Sequence, residues 1–375
     1  MFGRTYRLFD LLGIPIRVDS SWFLIVVLVV WSLSISVFPD EAPGLSRATY
    51  FALGTVGATC LFASIVFHEL CHAAVARAHG VRTRSITLFI FGGVAEMEEE
   101  PPTARAELLV AIAGPLGSAL LAALALGVRA AGRTAGWSDG PDALAGYLAG
   151  MNGVLAVFNL VPAFPLDGGR VLRAVLWLVR GDLTSSTRIA ASIGAAFGSG
   201  LVVLGVLAWL AGDVVGAIWW ALIGLFVRRA SQASYQQLLV RRALEGEPVR
   251  KFMQTELVTV DPSTSVAALV DDYLHRHHFK TFPVVEAGRL VGSVQMSRIR
   301  DLPRDEWPRT TVAAVATPLS PGQTIDPGED AVVALSRMSR GGSTRLLVVE
   351  GDRLVGILAL RALLRFLEIK VELGP

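Results

Sequence analysis

Runs of about twenty residues almost free of charge recur through the first 230 positions of this chain, and nothing else in the sequence narrows its fold as much. A helix needs about 20 residues to cross roughly 30 Å of hydrocarbon. Residues 20–39, 48–78, 108–128, 143–166, 189–212 and 214–227 are read as such spans. The sixth is short unless Arg228 and Arg229 snorkel to the interface. With 53% apolar residues and a mean hydropathy of +0.53, an ordinary soluble enzyme is excluded. The net charge of +2 comes with basic residues spread along the chain, so no nucleic-acid partner is expected. Cys60 and Cys71 are the only cysteines, both in the second run, and imply no disulfide framework. Arg4, Arg7, Asp10, Arg17 and Asp19 leave the first twenty residues without a long apolar core, so no cleavable signal peptide is expected.

Arginine placement gives an orientation, because positive residues stay cytoplasmic. Arg4, Arg7 and Arg17 precede the first span, Arg77, Arg82 and Arg84 follow the second, Arg170, Arg173, Arg180 and Arg188 separate the fourth from the fifth, and Arg228 and Arg229 end the sixth. Asp40 and Glu41 follow the first span. Both termini are therefore expected in the cytoplasm. Residues 85–95, SITLFIFGGVA, are too short and broken for a span and read as a strand or hairpin dipping into the protein, whose free edge could hold an unwound substrate segment.

The second run ends in His68-Glu69-Leu70-Cys71-His72. Helix positions i and i+4 share a face, so His68 and His72 can grip one metal ion while Glu69 reaches its open side. In a bilayer such a cluster is costly without an ion. A third donor is expected where the fourth span breaks, at NLVPAFPLDGGR (159–170). Pro162 and Pro165 interrupt the backbone ladder there, and Gly168 and Gly169 permit tight turns. Broken backbone at membrane depth lines protein or water, and a carboxylate there is compensated by a divalent cation, which makes Asp167 the natural third ligand. Two nitrogens and one oxygen leave a fourth position of zinc open for water. Glu69 would act as the base, and the Asn159 amide as a donor to the oxyanion. Cys71 is assigned to packing, Asn152 to an interhelical hydrogen bond, and His79 to the interface.

These residues, with Ala113-Gly114-Pro115-Leu116 in the third span and Asn159-Leu160-Val161-Pro162 leading to Asp167-Gly168-Gly169, resemble the site-2 protease family of intramembrane zinc metalloproteases over roughly residues 10–230. The resemblance implies regulated cleavage of a single-span membrane protein, for example an anti-sigma factor or regulator precursor. It implies His68, His72 and Asp167 as ligands of one zinc ion, Glu69 as base, and Asn159 near the substrate.

After Arg229 the composition turns polar. A helical linker (231–247) is expected before two half-repeats at 248–307 and 308–372, each with a strand, an amphipathic helix, a buried strand and a Gly-Arg-Leu-Val-Gly or Asp-Arg-Leu-Val-Gly turn into another strand. They are similar to a tandem pair of cystathionine-β-synthase (CBS) domains. Such pairs commonly bind adenine nucleotides. Here, however, Gln295 and Arg298, and Ala359 and Ala362, stand where the family places Ser or Thr and a ribose-binding Asp. Homodimerisation or substrate gating is the expected role of the pair, with an adenine nucleotide as the alternative ligand. His275, His277 and His278 read as a solvated helix end.

The expected architecture is a polytopic α-helical membrane domain (residues 1–230) of about six transmembrane helices with a membrane-associated β-hairpin, followed by an α+β cytoplasmic CBS pair. The expected function is an intramembrane endopeptidase. The alternative is a non-enzymatic transporter or channel with a CBS module, which should show inverted repeats and polar residues spread over several spans. Here the strongest polar residues converge on one ligand set, and the base, ligands and Asn159 are all intact, which also disfavours an inactive scaffold.

Overall fold

A computed structural model describes residues 5–277, 279, 281–320 and 322–372. The chain forms two compact units, Met1–Gln236 and Gln237–Pro375.

The first described element is a hairpin beyond those expected from the sequence, β1 (Thr5–Leu11) and β2 (Ile14–Asp19). Its turn is Leu12-Gly13, both with positive φ, the pairing that suits the twist of a two-residue hairpin. β2 then pairs in parallel with β3 (Thr83–Phe89), and β3 pairs antiparallel with β4 (Gly92–Met97), giving the order β1-β2-β3-β4. Ile16 and Val18 of β2 lie beside Ile86 and Leu88 of β3, and all four pack on Val66 of the helix that carries the histidines. The expected hairpin at 85–95 is thus the outer half of a four-stranded sheet. Its turn is Ile90-Phe91, and the glycine pair lies within β4 itself.

Asp19 caps α1 (Ser20–Ser32), its carboxylate accepting from the Ser21 amide at 2.9 Å. A π-helical stretch (Leu33–Val37) joins α1 to α2 (Phe38–Glu41), so that Ser20–Glu41 is one rod. There follow α3 (Arg47–Ala78), α4 (Ala104–Thr134), α5 (Asp139–Asn159), α6 (Asp167–Arg180), α7 (Leu183–Leu210) and α8 (Val214–Leu244). Ser46, Thr103 and Asp182 cap α3, α4 and α7 through their side chains. Among the described residues, five helical rods are long and apolar enough to cross a membrane: Ser20–Glu41, α3, α4, α7 and α8. The fourth expected span corresponds to α5, which stands outside that group because Asp142, Asn152 and its glycines dilute its apolar residues. It also stops at Asn159, short of the expected 166, since Pro162 and Pro165 cannot continue its ladder.

The second unit holds one five-stranded sheet in the order β5-β6-β9-β8-β7. β5 (Thr281–Glu286) and β6 (Arg289–Gln295) form one antiparallel pair, and β8 (Arg345–Glu350) and β9 (Arg353–Ala359) form the other, with β7 (Thr324–Ile325) beside β8. Both pairs carry a register shift after their central valine, at Val284/Val285 and Val348/Val349, so the sequence repeat is also a repeat of backbone irregularity. The halves meet where β6 and β9 pair at Arg289 and Arg353. The first half has α9 (Val266–Ala268), a π stretch (Leu269–Leu274), α10 (His275–His277), α11 (Met296–Arg300) and α12 (Val312–Val315). The second half has α13 (Ala331–Gly341) and α14 (Leu360–Glu372). Each half has its own core, one around Val266, Leu269 and Val284, the other around Met338, Leu346 and Leu363. Leu244, the last residue of α8, is fully buried in the latter. Of the expected histidine cluster, His275 is exposed and His278 lies outside the described residues.

Candidate metal centre

His68 and His72 project one turn apart from α3 and are each 3% exposed, buried against α4. Asp167 is the first residue of α6, where the helix N-terminus favours a carboxylate. The three donors converge. Asp167 Oδ2 lies 3.0 Å from His68 Nε2 and 3.1 Å from His72 Nε2, and the two Nε2 atoms are 3.2 Å apart. These residues form the one group of three or more His, Cys, Asp or Glu residues with metal-holding geometry among the described residues.

Both rings are held at their outward edges. His72 Nδ1 donates to the Val110 carbonyl at 2.6 Å, which leaves a lone pair on Nε2 of the neutral ring. His68 Nδ1 meets Ser118 Oγ at 2.9 Å, and in the metal-binding tautomer it donates to that hydroxyl. Two lone pairs and a carboxylate oxygen then face one another in a buried space. That arrangement is repulsive unless a cation lies among them. A tetrahedral ion with bonds of about 2.0–2.2 Å holds its ligand atoms about 3.3 Å apart, so the observed separations fit zinc.

α4 keeps that space open. A Cβ at Gly114 would fall 2.2 Å from His72 Nε2 and 2.6 Å from His68 Nε2. At Gly117 it would lie 2.5 Å from Cys71 Sγ, which gives Cys71 the packing role expected of it. Gly168 and Gly169, expected to supply tight turns, have no positive φ. Their function is close approach: a Cβ on either would strike the backbone of residues 160–164 at 2.3–2.4 Å. The same broken segment is held by Ser231 of α8, whose hydroxyl donates to the Phe164 carbonyl at 2.5 Å.

Glu69 sits beside the donors. Its Oε2 accepts from the Ala95 amide at 3.2 Å, and its chain packs on Gly93, where a Cβ would come within 2.9 Å of Glu69 Cγ. The glycine pair in β4 thus makes room for the carboxylate. Because the Ala95 N–H turns away from β3 to reach Glu69, the free edge of β4 faces the candidate base. Asn159 is not drawn into the group: its amide donates to Leu155 O in its own helix at 3.0 Å. Asn152 makes the expected interhelical bond, donating to Ser64 Oγ at 3.2 Å, one turn before His68. Val110, Gly114 and Ser118 were not recognised as site residues. For Gly114 and Ser118 the signal is the recurrence of small residues at helical spacing through 114–118, which marks close helix packing in membranes, whereas Val110 acts through its backbone carbonyl, which no side-chain pattern announces.

A helical membrane unit with a buried His-His-carboxylate donor set and a glutamate next to the first histidine defines the metallopeptidase class. A sequence profile of peptidase family M50 matches residues 56–133 and 128–201, and CBS-domain profiles match 249–305 and 312–369. A Mycobacterium tuberculosis protein named "Putative zinc metalloprotease Rip3" is 34% identical over 95% of this chain and 91% of its own. A zinc metalloprotease of Methanocaldococcus jannaschii is 32% identical over 98% of both chains. A solved structure titled site-2 protease from Methanocaldococcus jannaschii covers 62% of this chain and 95% of that one, with 32% identity and a TM-score of 0.43. The chain belongs to peptidase family M50, the site-2 proteases, and is a multi-pass membrane protein carrying tandem CBS domains.

Proposed function

We propose that this protein is an intramembrane zinc endopeptidase that cuts a peptide bond within or near the transmembrane segment of a single-span membrane protein. One observation carries the reading: His68, His72 and Asp167 converge in a buried space beside Glu69, on a helix of membrane-crossing length. Zinc bound there would supply Lewis acidity, polarising the scissile carbonyl and lowering the pKa of water to about 7. Glu69 takes the proton of the attacking water and passes it to the leaving amide nitrogen. Val110 and Ser118 hold the two imidazoles in place through that step.

A helical substrate must unwind first, because its amides are bonded and its carbonyls shielded. The outer edge of β4 borders Glu69, which accepts its Ala95 N–H, so strand addition there would lay the scissile bond beside the base once that amide passes from Glu69 to the substrate. The oxyanion role of Asn159 requires its amide to leave Leu155 O when substrate binds. Arginine placement supports cytoplasmic termini and a cytoplasmic CBS pair. That pair we assign to regulation, by homodimerisation or by gating of substrate. Arg298 lines a cavity of about 270 Å³ with Asp301 and Thr317, in the position where a ribose-binding carboxylate is expected, which argues against an adenine nucleotide in that half.

The test compares membranes containing the wild type with membranes containing Glu69→Ala. A single-span fragment should accumulate in the variant, and the purified variant should keep its zinc. Unimpaired cleavage by Glu69→Ala would overturn the mechanism.

A further inference from the structure

We infer that the buried Glu107–Arg173 ion pair is a positioning device for the metal site, setting Asp167 against the two histidines by fastening α6 to the face of α4 that already orients both rings. The inference rests on the metal-site reading proposed above.

Glu107 is 1% exposed and Arg173 8%. Arg173 Nε donates to Glu107 Oε1 at 2.6 Å, and its Nη2 reaches the same oxygen. The guanidinium also lies over the Phe164 ring, 5.4 Å from its centroid. One side chain of α6 thereby contacts both the start of α4 and the broken segment before Asp167. Arg173 is six residues beyond Asp167 on the same helix, about 9 Å along its axis at 1.5 Å per residue.

Glu107, Val110, Gly114 and Ser118 follow helical spacing on α4, so they share a face. Val110 orients His72, Ser118 orients His68, and Gly114 leaves room for the ion. Glu107 gives that face its hold on the third donor. Apolar packing between α4 and α6 is non-directional and would leave α6 free to rotate or slip by a fraction of a turn. A forked guanidinium on a carboxylate is directional. Buried ion pairs are also poor sources of stability, since an apolar pair of similar volume does as well or better. The presence of both charges at a buried contact therefore fits a requirement for position better than one for stability.

The test uses the full chain purified in detergent, with Co²⁺ as the metal probe. The variants are Glu107→Gln/Arg173→Met, which removes both charges and keeps the volume, and Glu107→Asp, which keeps both charges and shortens the reach by one methylene. Asp167→Asn is the reference for loss of the third donor. The double variant should unfold at or above the wild-type temperature yet bind Co²⁺ about 10- to 100-fold more weakly, with its visible ligand-field spectrum displaced toward that of Asp167→Asn. Glu107→Asp should weaken binding in the same direction. Wild-type affinity and spectrum in either folded variant would overturn the positioning role while leaving the metal site intact. Failure of the wild type itself to bind Co²⁺, or equal binding by Asp167→Asn, would instead overturn the metal-site reading, and this inference with it.

Discussion

Gly114→Ala adds one methyl group to α4, and the structure gives its consequence in distances. The new carbon would lie 2.2 Å from His72 Nε2 and 2.6 Å from His68 Nε2, whereas ordinary contact begins near 3.4 Å. The rings would have to retreat by about 1.2 and about 0.8 Å, the differences between those distances. Metal sites tolerate about 0.2 Å. Neither ring can retreat while holding its second partner, because Val110 and Ser118 fix the opposite nitrogens. Zinc affinity should fall by about 100-fold or more, equivalent to about 2.7 kcal/mol, and overpacking should cost a further 1–3 kcal/mol or so of stability. Gly127→Ala in the same helix is the control. A Cβ there meets nothing within 4 Å, so metal binding should be unchanged, and the helix should gain about 0.5–1 kcal/mol from loss of the glycine. The assay is competition against a chromophoric chelator with detergent-purified protein, alongside thermal unfolding. Stoichiometric zinc at wild-type affinity in Gly114→Ala would refute the placement of the ion between the histidines and α4.

Three further expectations concern the same centre and the CBS unit. Ser118→Ala removes the partner of His68 Nδ1 and should weaken zinc binding by about 10- to 100-fold; an unchanged dissociation constant would show that the hydroxyl does not orient the ring. Stripping the metal with a chelator should lower the unfolding temperature of the membrane unit, by a free energy of about 4 kcal/mol where free zinc had stood at 1,000 times its dissociation constant. A temperature indifferent to zinc would mean that the folded state binds none. Leu346→Ala, at a fully buried position in β8, should destabilise the CBS unit by about 2–5 kcal/mol while zinc binding persists, as hydrogen exchange and metal titration on one sample can show.

What could be read in advance depended on whether a residue's role is local. The spacing of His68 and His72 fixes their shared face whatever the tertiary structure, and a carboxylate at a broken span end is costly without a partner, so the convergence of these two residues with Asp167 was legible. The repeat in the CBS region was equally legible, because hydrophobic pattern and turn sequence recur within each half. The β1-β2 hairpin is not legible locally, because the buried face of the alternation Ile14, Ile16, Val18 depends on β3, about 70 residues later in the chain. The glycines stand out in the sequence, but the contacts that require them do not. Gly93, Gly114 and Gly168 lie where another chain segment comes close, and the identity of that segment is not encoded near them. The extent of α5 was misjudged for a related reason: freedom from charge alone makes no distinction between an apolar span and one diluted by glycine and asparagine.

The donors come from α3 and α6, but α4, which supplies none, has the larger part in specifying the centre. A carbonyl at 110, a missing side chain at 114 and a hydroxyl at 118 recur every four residues, and each acts on a different requirement of the site: the tautomer of His72, room for an ion, and the orientation of His68. The bond that Pro115 removes is the one to the Ala111 carbonyl, so the Val110 carbonyl keeps its own ladder position and has a second lone pair for His72. Substitution on α4 should therefore impair metal binding as severely as substitution of a ligand's immediate neighbours on α3, although α4 contributes no side chain to the donor group. The Ala-Gly-Pro-Leu run at 113–116 then has a physical reason to accompany the His-Glu-Leu-Cys-His run: the first shapes the wall against which the histidines of the second converge with Asp167.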